Sequence, residues 1–575
     1  MSYLNTYEEW KTHPALTETE RQELVAIGGD PQEIESRFFG PLEFGTAGLR
    51  GVMGVGLNRM NRHVIRHVTQ AFAQVILAEG QIAARRGIAI CFDCRNGSSD
   101  FAKEAACVMA ANGIMVRLFS GMRPTPELSF AVRKYGCMAG INVTASHNPK
   151  EYNGYKVYWS DGAQLPPQHA ASIAANMSAM DVFDSVKSVP YETALEQGLI
   201  TLLGDETDAA FLDQVMALTN DFEAVAKVVN TFQMVYTPFH GAGHQQIPEV
   251  LRRLGIRHLH CVPQQMVIDG SFPTVTSPNP ENPESFALAI ELAKEVNAQF
   301  ILGSDPDADR VGILARNPQG EYQLISGNRT GVLLLDYLIG ARIRQGTLPE
   351  SPTVLKTIVT TEMARQVAEQ NGVACYDTFT GFKFMAEKKA ALEAAGEGNV
   401  FFSYEESFGY MLGDFTRDKD AVSAALLLTE MAAWYAGQDM TLFDALESLY
   451  AKYGYYEEAT LNLVMPGLSG METMKNLMSR LRAHPLTQIA GIPVLGQKDY
   501  QTGLETDWTT GAVSPTELSG SNVLKYRLSI GTDLVIRPSG TEPKIKVYIL
   551  AKGEDRRACH QHVLDLTRWA NETLR

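Results

Sequence analysis

Residues 87–119 read GIAICFDCRNGSSDFAKEAACVMAANGIMVRLF, and this stretch decides the fold. It begins with an apolar run, 87–92, whose length and content are typical of a buried strand. Residues 101–111 then repeat apolar side chains with a helical period and end at an Asn-Gly pair, a usual helix stop. A second apolar run, 114–119, predicts another strand. A strand, a helix and a strand in this order predict a right-handed βαβ unit.

The same alternation continues along most of the chain, which predicts an α/β protein with parallel sheets and helices on both faces. The further predicted strands are 137–143, 232–236, 300–303, 353–359, 373–376 and 400–404, and the further helices are 246–254, 285–296, 362–370 and 382–395. The C-terminal part differs, because two strands, 534–537 and 544–550, flank a turn and precede a helix, which indicates an α+β domain. Residues 499–522 are polar and predict a long surface loop.

Composition and charge exclude several classes of protein. Of the 575 residues, 45% are hydrophobic and 20% are charged, the balance of a globular chain rather than of a disordered or collagen-like one. No apolar run approaches the roughly 18 residues of a membrane span, and the first residues lack a hydrophobic signal segment. The net charge of −16 argues against nucleic-acid binding. Seven scattered cysteines fit the reducing cytoplasm, and no protein partner is implied.

Ligands of open α/β sheets bind beyond the carboxyl ends of the strands, so the residues after each predicted strand are informative. Strand 137–143 is followed by TASHNP at 144–149, which places Ser146 beside His147 on a loop, with Lys156 nearby. A serine nucleophile needs a base or a group that stabilises its ester, and the Gly-x-Ser-x-Gly elbow of acyl-transfer enzymes is absent. A hydroxyl that caps a turn is the alternative interpretation.

Strand 300–303 is followed by DPDADR at 305–310. Its three carboxylates, at alternate positions of a tight turn, concentrate enough negative charge to predict a hard cation such as Mg²⁺. The EF-hand pattern fails at its sixth and twelfth positions, where arginines stand. The pattern of aspartyl-phosphate phosphatases fails because Asp309 stands where threonine or valine belongs. A solvated acidic turn is the alternative.

Three other loops carry groups suited to a sugar phosphate. EESFGY at 405–410 offers a carboxylate and a hydroxyl for vicinal sugar hydroxyls, with Lys419 a little further on, although an acid-rich helix start is the alternative. RPSGTEPK at 537–544 combines glycine, hydroxyls and flanking basic residues as in a phosphate cradle, and a plain hairpin turn is its alternative. The glycine-rich residues 44–51 contain Arg50 but are not a Walker sequence.

Six motifs, in the same order, resemble those of the α-D-phosphohexomutase superfamily, specifically its bacterial-type phosphoglucomutases. They are GTAGLRG at 45–51, TASHNP at 144–149, DPDADR at 305–310, TGFKF at 380–384, EESFGY at 405–410 and RPSGTEPK at 537–544. The resemblance implies an α/β fold of three similar mixed α/β sandwich domains and a smaller C-terminal α+β domain around a central cleft. The expected ranges are 1–205 with the phosphoserine loop, 206–322 with the metal loop, 323–455 with the sugar-recognition loop and 456–575 with the phosphate-binding loop.

The resemblance also implies a role for each matching residue. Ser146 would carry a phosphoryl group whose oxygen, with Asp305, Asp307 and Asp309, would bind Mg²⁺. His147 and Lys419 match positions proposed for proton transfer, and which of them is the base stays open. Glu405 and Ser407 would hold sugar hydroxyls, while the phosphate that is not transferred would be held by Arg537, Ser539, Gly540 and Thr541. Supporting positions are matched by Arg50, Lys156, Thr380 and Gly381.

The implied activity is reversible phosphoryl transfer between glucose 1-phosphate and glucose 6-phosphate, with one Mg²⁺ per chain and glucose 1,6-bisphosphate as intermediate and activator. The EESFG loop resembles the glucose-specific branch, whereas mannose-capable members typically read EMSGH and glucosamine ones EQSGH. Phosphopentomutase and phosphomannomutase activities stay open. So do a Mg²⁺-dependent sugar-phosphate phosphatase and a sugar-phosphate sensor without enzymatic activity.

Overall fold

The computed structural model describes residues 2–45, 48–465, 470–539 and 543–574. The chain divides into two compact units. Unit 1 contains residues 1–325 and 408–441, and unit 2 contains residues 326–407 and 442–575. Three α/β domains with mixed sheets precede a β-rich C-terminal domain, which confirms the predicted fold class. The predicted domain boundaries stay predictions.

The first sheet of unit 1 has six strands in the order β1-β5-β4-β2-β3-β6. The predicted parallel strands β2, β3 and β4 are confirmed, but β5 runs antiparallel to both of its neighbours, so an all-parallel sheet is wrong here. The loop between β4 and β5 is too short for the crossover that parallel strands need. The six strands are β1 Gly48–Val52, β2 Ile88–Phe92, β3 Val116–Phe119, β4 Ala139–Val143, β5 Tyr152–Trp159 and β6 Ile200–Leu203.

Nine helices of the described residues accompany this sheet. The first four begin with a side-chain cap: for example, Thr17 and Glu20 form a capping box at α2, and the Asn61 side chain accepts hydrogen bonds at the start of α4. The nine are α1 Tyr3–Thr12, α2 Glu18–Ala26, α3 Pro31–Phe38, α4 Arg62–Ala78, α5 Gln81–Arg86, α6 Ser98–Ala111, α7 Thr125–Lys134, α8 Pro167–Ala179 and α9 Tyr191–Glu196.

The second sheet of unit 1 has the order β11-β10-β9-β7-β8 and is also mixed, because β9, β10 and β11 form antiparallel hairpins. The predicted helix 285–296 begins later, since residues 283–286 form a 3₁₀ turn. The strands are β7 Gln233–Thr237, β8 His258–Cys261, β9 Phe300–Ser304, β10 Val311–Arg316 and β11 Tyr322–Ile325, and the helices are α10 Asp205–Met216, α11 Phe222–Val228, α12 Gly243–Leu254, α13 Pro263–Met266 and α14 Ala287–Glu295.

The third domain supplies three parallel strands in the order β13-β12-β14 to unit 2. Apart from the helix at 327–345, which was not predicted, its elements agree with the sequence pattern, and the helix predicted at 382–395 has those bounds. In chain order they are α15 Gly327–Gln345, β12 Pro352–Thr357, α16 Met363–Gln370, β13 Ala374–Thr378, α17 Phe382–Ala395 and β14 Asn399–Glu405.

The chain then returns to unit 1 with strand β15, Gly409–Leu412, and helix α18, Ala421–Ala436. Helix α18 is apolar and almost wholly buried, because it packs against α10, α11 and α12. The segment therefore belongs to the core of unit 1 although unit 2 residues flank it in sequence.

The C-terminal sheet of unit 2 has the order β16-β23-β22-β21-β18-β19-β20, with β17 paired to β18. The prediction of a surface loop at 499–522 is wrong, because this range contains the strands β19 and β20. Strand β19 is mostly half-buried and β20 is exposed, and neither shows the apolar–polar alternation that marks a half-buried strand in a sequence. The elements are α19 Leu442–Tyr453, β16 Tyr455–Val464, α20 Gly470–Ala483, β17 Gln488–Ile489, β18 Ile492–Asp499, β19 Leu504–Asp507, β20 Val513–Pro515, β21 Leu524–Leu528, β22 Asp533–Pro538, β23 Lys544–Gly553 and α21 Arg556–Thr573.

All seven cysteines carry free thiols. None of the helices within the described residues is long and apolar enough to cross a bilayer.

A buried ion-pair network joins the third and C-terminal domains inside unit 2. The Glu362 Oε1 atom lies 3.0 Å from Lys356 Nζ and 3.3 Å from Lys525 Nζ. The two ammonium groups are buried, with side chains 1% and 10% exposed, and each keeps one further carboxylate partner, Asp377 or Asp533.

We expect Glu362→Gln to lower the free energy of unfolding by about 3 kcal/mol, because it leaves two buried cations short of a counter-charge. The matched control is Glu505→Gln, whose partner Lys498 has a 41% exposed side chain, and we expect it to cost at most about 1 kcal/mol. Urea unfolding followed by far-UV circular dichroism measures both variants. Equal midpoints for the two would contradict a stabilising network.

Candidate active site

Ser146 lies on the loop that follows β4, and its hydroxyl meets the second domain. The side chain is only 3% exposed. Its Oγ donates a hydrogen bond to Asp305 Oδ2 at 2.8 Å and lies 3.2 Å from Nδ1 of His147. Two motifs 159 positions apart in sequence therefore meet inside unit 1.

The three aspartates occupy the turn between β9 and β10. Asp305, Asp307 and Asp309 are at most 1% exposed, and one oxygen of each lies within 4.8 Å of the others. The turn is closed by Asp305 Oδ1, which accepts hydrogen bonds from the backbone N–H groups of Asp309 and Arg310 at 3.1 and 3.0 Å. The carboxylates thus converge by the shape of the turn itself.

Two lysines from different parts of the chain partly neutralise this cluster. Lys156, on β5, places Nζ 2.7 Å from Asp307 Oδ2 and 3.2 Å from Asp309 Oδ2. Lys419, in the returning segment 408–441, places Nζ 3.1 Å from Asp309 Oδ2. With all three carboxylates ionised, the two ammonium groups leave the cluster with one net negative charge.

The pKa values of the trio diverge. Burial, together with the charges of Asp307 and Asp309, raises the pKa of Asp305 well above its usual range. Burial also opposes the ionisation of Asp307, but Lys156 outweighs it and lowers the pKa of that carboxyl. Burial and Asp307 oppose the ionisation of Asp309, and Lys156 with Lys419 lowers its pKa nevertheless. The two carboxyl groups that ionise most readily are therefore those of Asp307 and Asp309, which contact the lysines.

The trio fits a metal ion. Asp307 Oδ1 and Asp309 Oδ1 are buried and accept no hydrogen bond from the described residues. Buried carboxylate oxygens need a donor or a cation, and hard divalent cations bind through oxygen ligands. The three aspartates can thus hold a metal ion, since two of them keep a carboxylate oxygen that accepts no hydrogen bond from the described residues.

His147 and Arg50 lie on the rim of the same cluster. Burial, reinforced by the charges of Arg310 and Arg50, holds the pKa of His147 well below its usual range, so the imidazole is neutral at pH 7. Arg50, on β1, is exposed and donates a hydrogen bond from Nη1 to Asn148 Oδ1 at 2.9 Å. This bond connects it to the loop that carries Ser146, residues 144–151, which we call the serine loop.

Unit 2 brings the predicted sugar-recognition residues together. Glu405 is 7% exposed; its Oε1 accepts from the backbone N–H of Gly381 at 3.0 Å, and its Oε2 accepts from Ser407 Oγ at 3.1 Å. Gly381 has φ +111°, a conformation that disfavours other residues. Thr380, half-buried, precedes it. These residues form one polar patch at the end of β14.

The predicted phosphate loop lies at the end of β22. Arg537 is half-buried and pairs across the strands with Lys546, and the Ser539 backbone N–H donates to the Lys544 carbonyl at 2.9 Å. Burial raises the pKa of Tyr548 to about 12, and the nearby Arg537 opposes the rise. Gly540 and Thr541 lie outside the described residues.

Sequence reasoning missed three residues that position the cluster. Thr125 Oγ1 donates to Asp307 Oδ2 at 2.8 Å. Asp418 lies 3.2 Å from Lys419 Nζ and accepts from the Tyr158 hydroxyl at 2.9 Å. Thr125 follows strand β3, so the rule that ligands bind beyond strand ends indicates it. Tyr158 lies on β5, which the sequence pattern did not predict.

Comparison with known proteins gives consistent matches along the chain. The models described as "Phosphoglucomutase/phosphomannomutase, alpha/beta/alpha domain" I, II and III match residues 41–182, 209–320 and 326–453. The phosphoglucomutase of Staphylococcus aureus (strain N315) is 35% identical over 526 residues, which cover 91% of this chain and 92% of that protein. A Staphylococcus epidermidis phosphoglucomutase is 34% identical over 508 residues, 88% of this chain and 90% of that protein.

Solved structures share the fold. The open form of the Paramecium phosphoprotein parafusin, a phosphoglucomutase, superposes with a TM-score of 0.68 at 19% identity, covering 93% of this chain and 96% of that one. A phosphoglucomutase/phosphomannomutase family protein of Burkholderia thailandensis gives a TM-score of 0.65 at 18% identity, with 92% and 97% covered.

Asp420, which follows Lys419, provides a test of the electrostatics of this region. It is buried and caps α18 through hydrogen bonds from Val422 N at 2.9 Å and Ser423 N at 3.0 Å. Burial raises the pKa of Asp420 to about 6, although these bonds oppose the rise. The fold therefore favours the protonated carboxyl. The stability that this preference contributes is full below the unfolded-state pKa and is lost as the pH rises through 6.

We compare the free energy of unfolding of Asp420→Asn with that of the unmodified protein at each pH. We expect the variant to gain about 3 kcal/mol relative to the unmodified protein between pH 4 and pH 7. Asparagine keeps the cap but does not ionise. Denaturant unfolding of both proteins across this range measures the difference. Asp221→Asn, at the half-buried cap of α11, is the matched control, with little change expected. A difference that is constant with pH for Asp420→Asn would contradict the assignment.

Proposed function

This chain belongs to the phosphoglucomutase/phosphomannomutase family, and we propose that it interconverts glucose 1-phosphate and glucose 6-phosphate through a phosphorylated Ser146. The observation that carries the proposal is the 2.8 Å contact between Ser146 Oγ and Asp305 in a buried trio of carboxylates. Curated relatives with the name phosphoglucomutase, 34–36% identical over most of the chain, support the choice of glucose.

The proposed reaction has two balanced transfers. Phosphorylated Ser146 gives its phosphoryl group to the 6-hydroxyl of glucose 1-phosphate, whose proton passes to a base. The released serine oxygen takes up a proton, and glucose 1,6-bisphosphate results. The bisphosphate then turns end for end and returns its 1-phosphoryl group to the Ser146 hydroxyl, which gives up its proton. The C1 oxygen of the sugar takes up a proton, and glucose 6-phosphate is released. His147, neutral at pH 7, and Lys419 are the two candidates for the proton transfer.

Charge neutralisation is the main task of the protein in phosphoryl transfer. Asp305, Asp307 and Asp309 would hold one divalent cation, which we take to be Mg²⁺. When bound, Mg²⁺ neutralises charge on the transferred phosphoryl oxygens. Lys156 and Lys419 already lie against the trio and would add positive charge beside those oxygens. Arg50 would support the serine loop through Asn148.

Unit 2 would recognise the sugar and its second phosphate. Glu405 and Ser407 would accept from and donate to sugar hydroxyls, with Thr380 and Gly381 shaping that patch. Arg537, Ser539, Gly540 and Thr541 would hold the phosphate that is not transferred. Small-molecule sugar phosphates are thus the proposed partners, and the cytoplasm is the proposed location.

We expect Ser146→Ala to lower the rate of glucose 1-phosphate conversion by more than about a thousandfold, because the residue that carries the phosphoryl group is lost. A coupled assay of glucose 6-phosphate, with Mg²⁺ and glucose 1,6-bisphosphate present, measures it, and Ser172→Ala on the exposed face of α8 is the control. Inorganic phosphate is measured in parallel. Phosphate as the main product would identify a phosphatase, and unchanged turnover would remove Ser146 from the reaction.

We expect Glu405→Gln to lower kcat/KM for glucose 1-phosphate by roughly tenfold to a hundredfold, since a charged hydrogen bond to the sugar is lost. Glu406→Gln is the matched control, because Glu406 accepts instead from Thr357 and Thr360 at 3.2 and 3.1 Å. The same assays with mannose 1-phosphate and ribose 1-phosphate test the choice of sugar. Faster turnover of either would replace glucose as the substrate.

A further inference from the structure

The guanidinium of Arg95 donates hydrogen bonds to several backbone carbonyls of the serine loop and its end. Its Nη2 donates to the carbonyls of Ser146, at 2.5 Å, and Asn148, while its Nη1 donates to those of Pro149 and Tyr152 at 2.8 and 3.0 Å. The residue is 3% exposed, so these bonds form away from water. One cation thus binds three carbonyls of the loop and that of Tyr152, the first residue of β5.

The loop needs such a cation because of its own conformation. Ser146 has φ +51°, in the left-handed region that residues other than glycine seldom adopt. Four carbonyl dipoles that point at a common centre repel one another unless a donor lies between them. The orientation of the Ser146 hydroxyl towards Asp305 therefore depends on a group at the position of Arg95.

The second domain covers the other side of Arg95. The Cζ atom of Arg95 lies over the ring of Phe272, 5.1 Å from its centroid. Phe272 is 3% exposed and has φ +47°, so its ring is held in place. A Cβ atom on Gly270 would lie 2.4 Å from the backbone nitrogen of Asn96, so the turn around Gly270 packs directly on the turn around Arg95.

The carboxylate that neutralises Arg95 comes from its own turn. Asp93 Oδ2 lies 3.3 Å from Arg95 Nε, and Asp93 Oδ1 accepts from the Arg95 backbone N–H at 2.9 Å and from Ser98 Oγ at 2.7 Å. The guanidinium is thus fixed from one side by Asp93, from another by Phe272 and from the front by the serine loop. Arginine is suited to this place because its planar fork donates in several directions at once.

We propose that Arg95 is a positioning residue for phosphoryl transfer, which holds Ser146 towards the aspartates and, through Phe272, ties the serine loop to the domain that carries them. This inference rests on the proposed function, because it assigns Arg95 to the step in which Ser146 gains or loses a phosphoryl group. It does not assign Arg95 to sugar binding.

The test compares Arg95→Lys with Arg86→Lys. Arg86 also donates to two backbone carbonyls of the first domain, those of Gly136 and Cys137, but away from the serine loop. The intact mass of each protein is followed after mixing with glucose 1,6-bisphosphate and Mg²⁺, which measures phosphorylation of Ser146, and KM and kcat are measured for glucose 1-phosphate.

We expect Arg95→Lys to slow the phosphorylation of Ser146 and to lower kcat by about tenfold to a hundredfold. The reason is that the Ser146 hydroxyl would no longer be held in its orientation towards the aspartates. KM should stay within about twofold, since Arg95 touches no residue proposed to bind the sugar. Arg86→Lys should change neither rate. Phe272→Leu should slow phosphorylation in the same way, and the double variant should be no slower than the worse single one.

Phosphorylation of Arg95→Lys at the unmodified rate would overturn the inference, as would a defect confined to KM. If Arg95→Lys fails to fold, the Phe272→Leu variant decides: unmodified kinetics there overturn the proposed tie between the domains. Failure of the proposed function looks different. In that case the unmodified protein gains no phosphoryl group, or Ser146→Ala gains it equally.

Discussion

Three carboxylates buried within 4.8 Å of one another repel, and the surrounding structure is organised to meet that repulsion. One consequence is that burial and the charges of Asp307 and Asp309 raise the pKa of Asp305. Asp305 Oδ2 also accepts a hydrogen bond from the Ser146 hydroxyl. Lys156 and Lys419 offset part of the repulsion, because they contact the other two aspartates. Asp307 and Asp309 each keep one buried oxygen that accepts no hydrogen bond from the described residues, and a cation fits there.

This demand explains why distant parts of the chain come together in unit 1. The aspartates come from a hairpin of the second sheet, and Lys156 comes from an antiparallel strand of the first sheet. Lys419 comes from residues 408–441, which belong to unit 1 although residues of unit 2 precede and follow them. It forms an ion pair with Asp418, which accepts a hydrogen bond from the Tyr158 hydroxyl. The antiparallel course of β5 sets Lys156 opposite Asn142, near the carboxyl end of β4 and hence near the loop that carries Ser146.

Much of this arrangement could be predicted from the sequence, and the exceptions have physical causes. The helix at 382–395 and the strands with fully buried apolar runs were predicted because their pattern is local. The loops at 144–149 and 305–310 were found because they follow such strands, and their residue types are specific. Strand β5 was missed because a mostly buried antiparallel strand with polar positions shows neither clear alternation nor a continuous apolar run. Arg95 was missed because its role depends on carbonyls, which the sequence does not mark.

The discontinuous course of unit 1 has a consequence for the order in which the protein becomes complete during synthesis. The ribosome releases the acidic hairpin and its first lysine well before helix α18 and Lys419, and residues 326–407, part of another unit, emerge in between. Until residue 441 has left the exit tunnel, helices α10, α11 and α12 lack the apolar helix that covers them. Until then, unit 1 exposes an apolar surface on these three helices, and its acidic cluster lacks the charge of Lys419. A chaperone can bind such an exposed apolar surface.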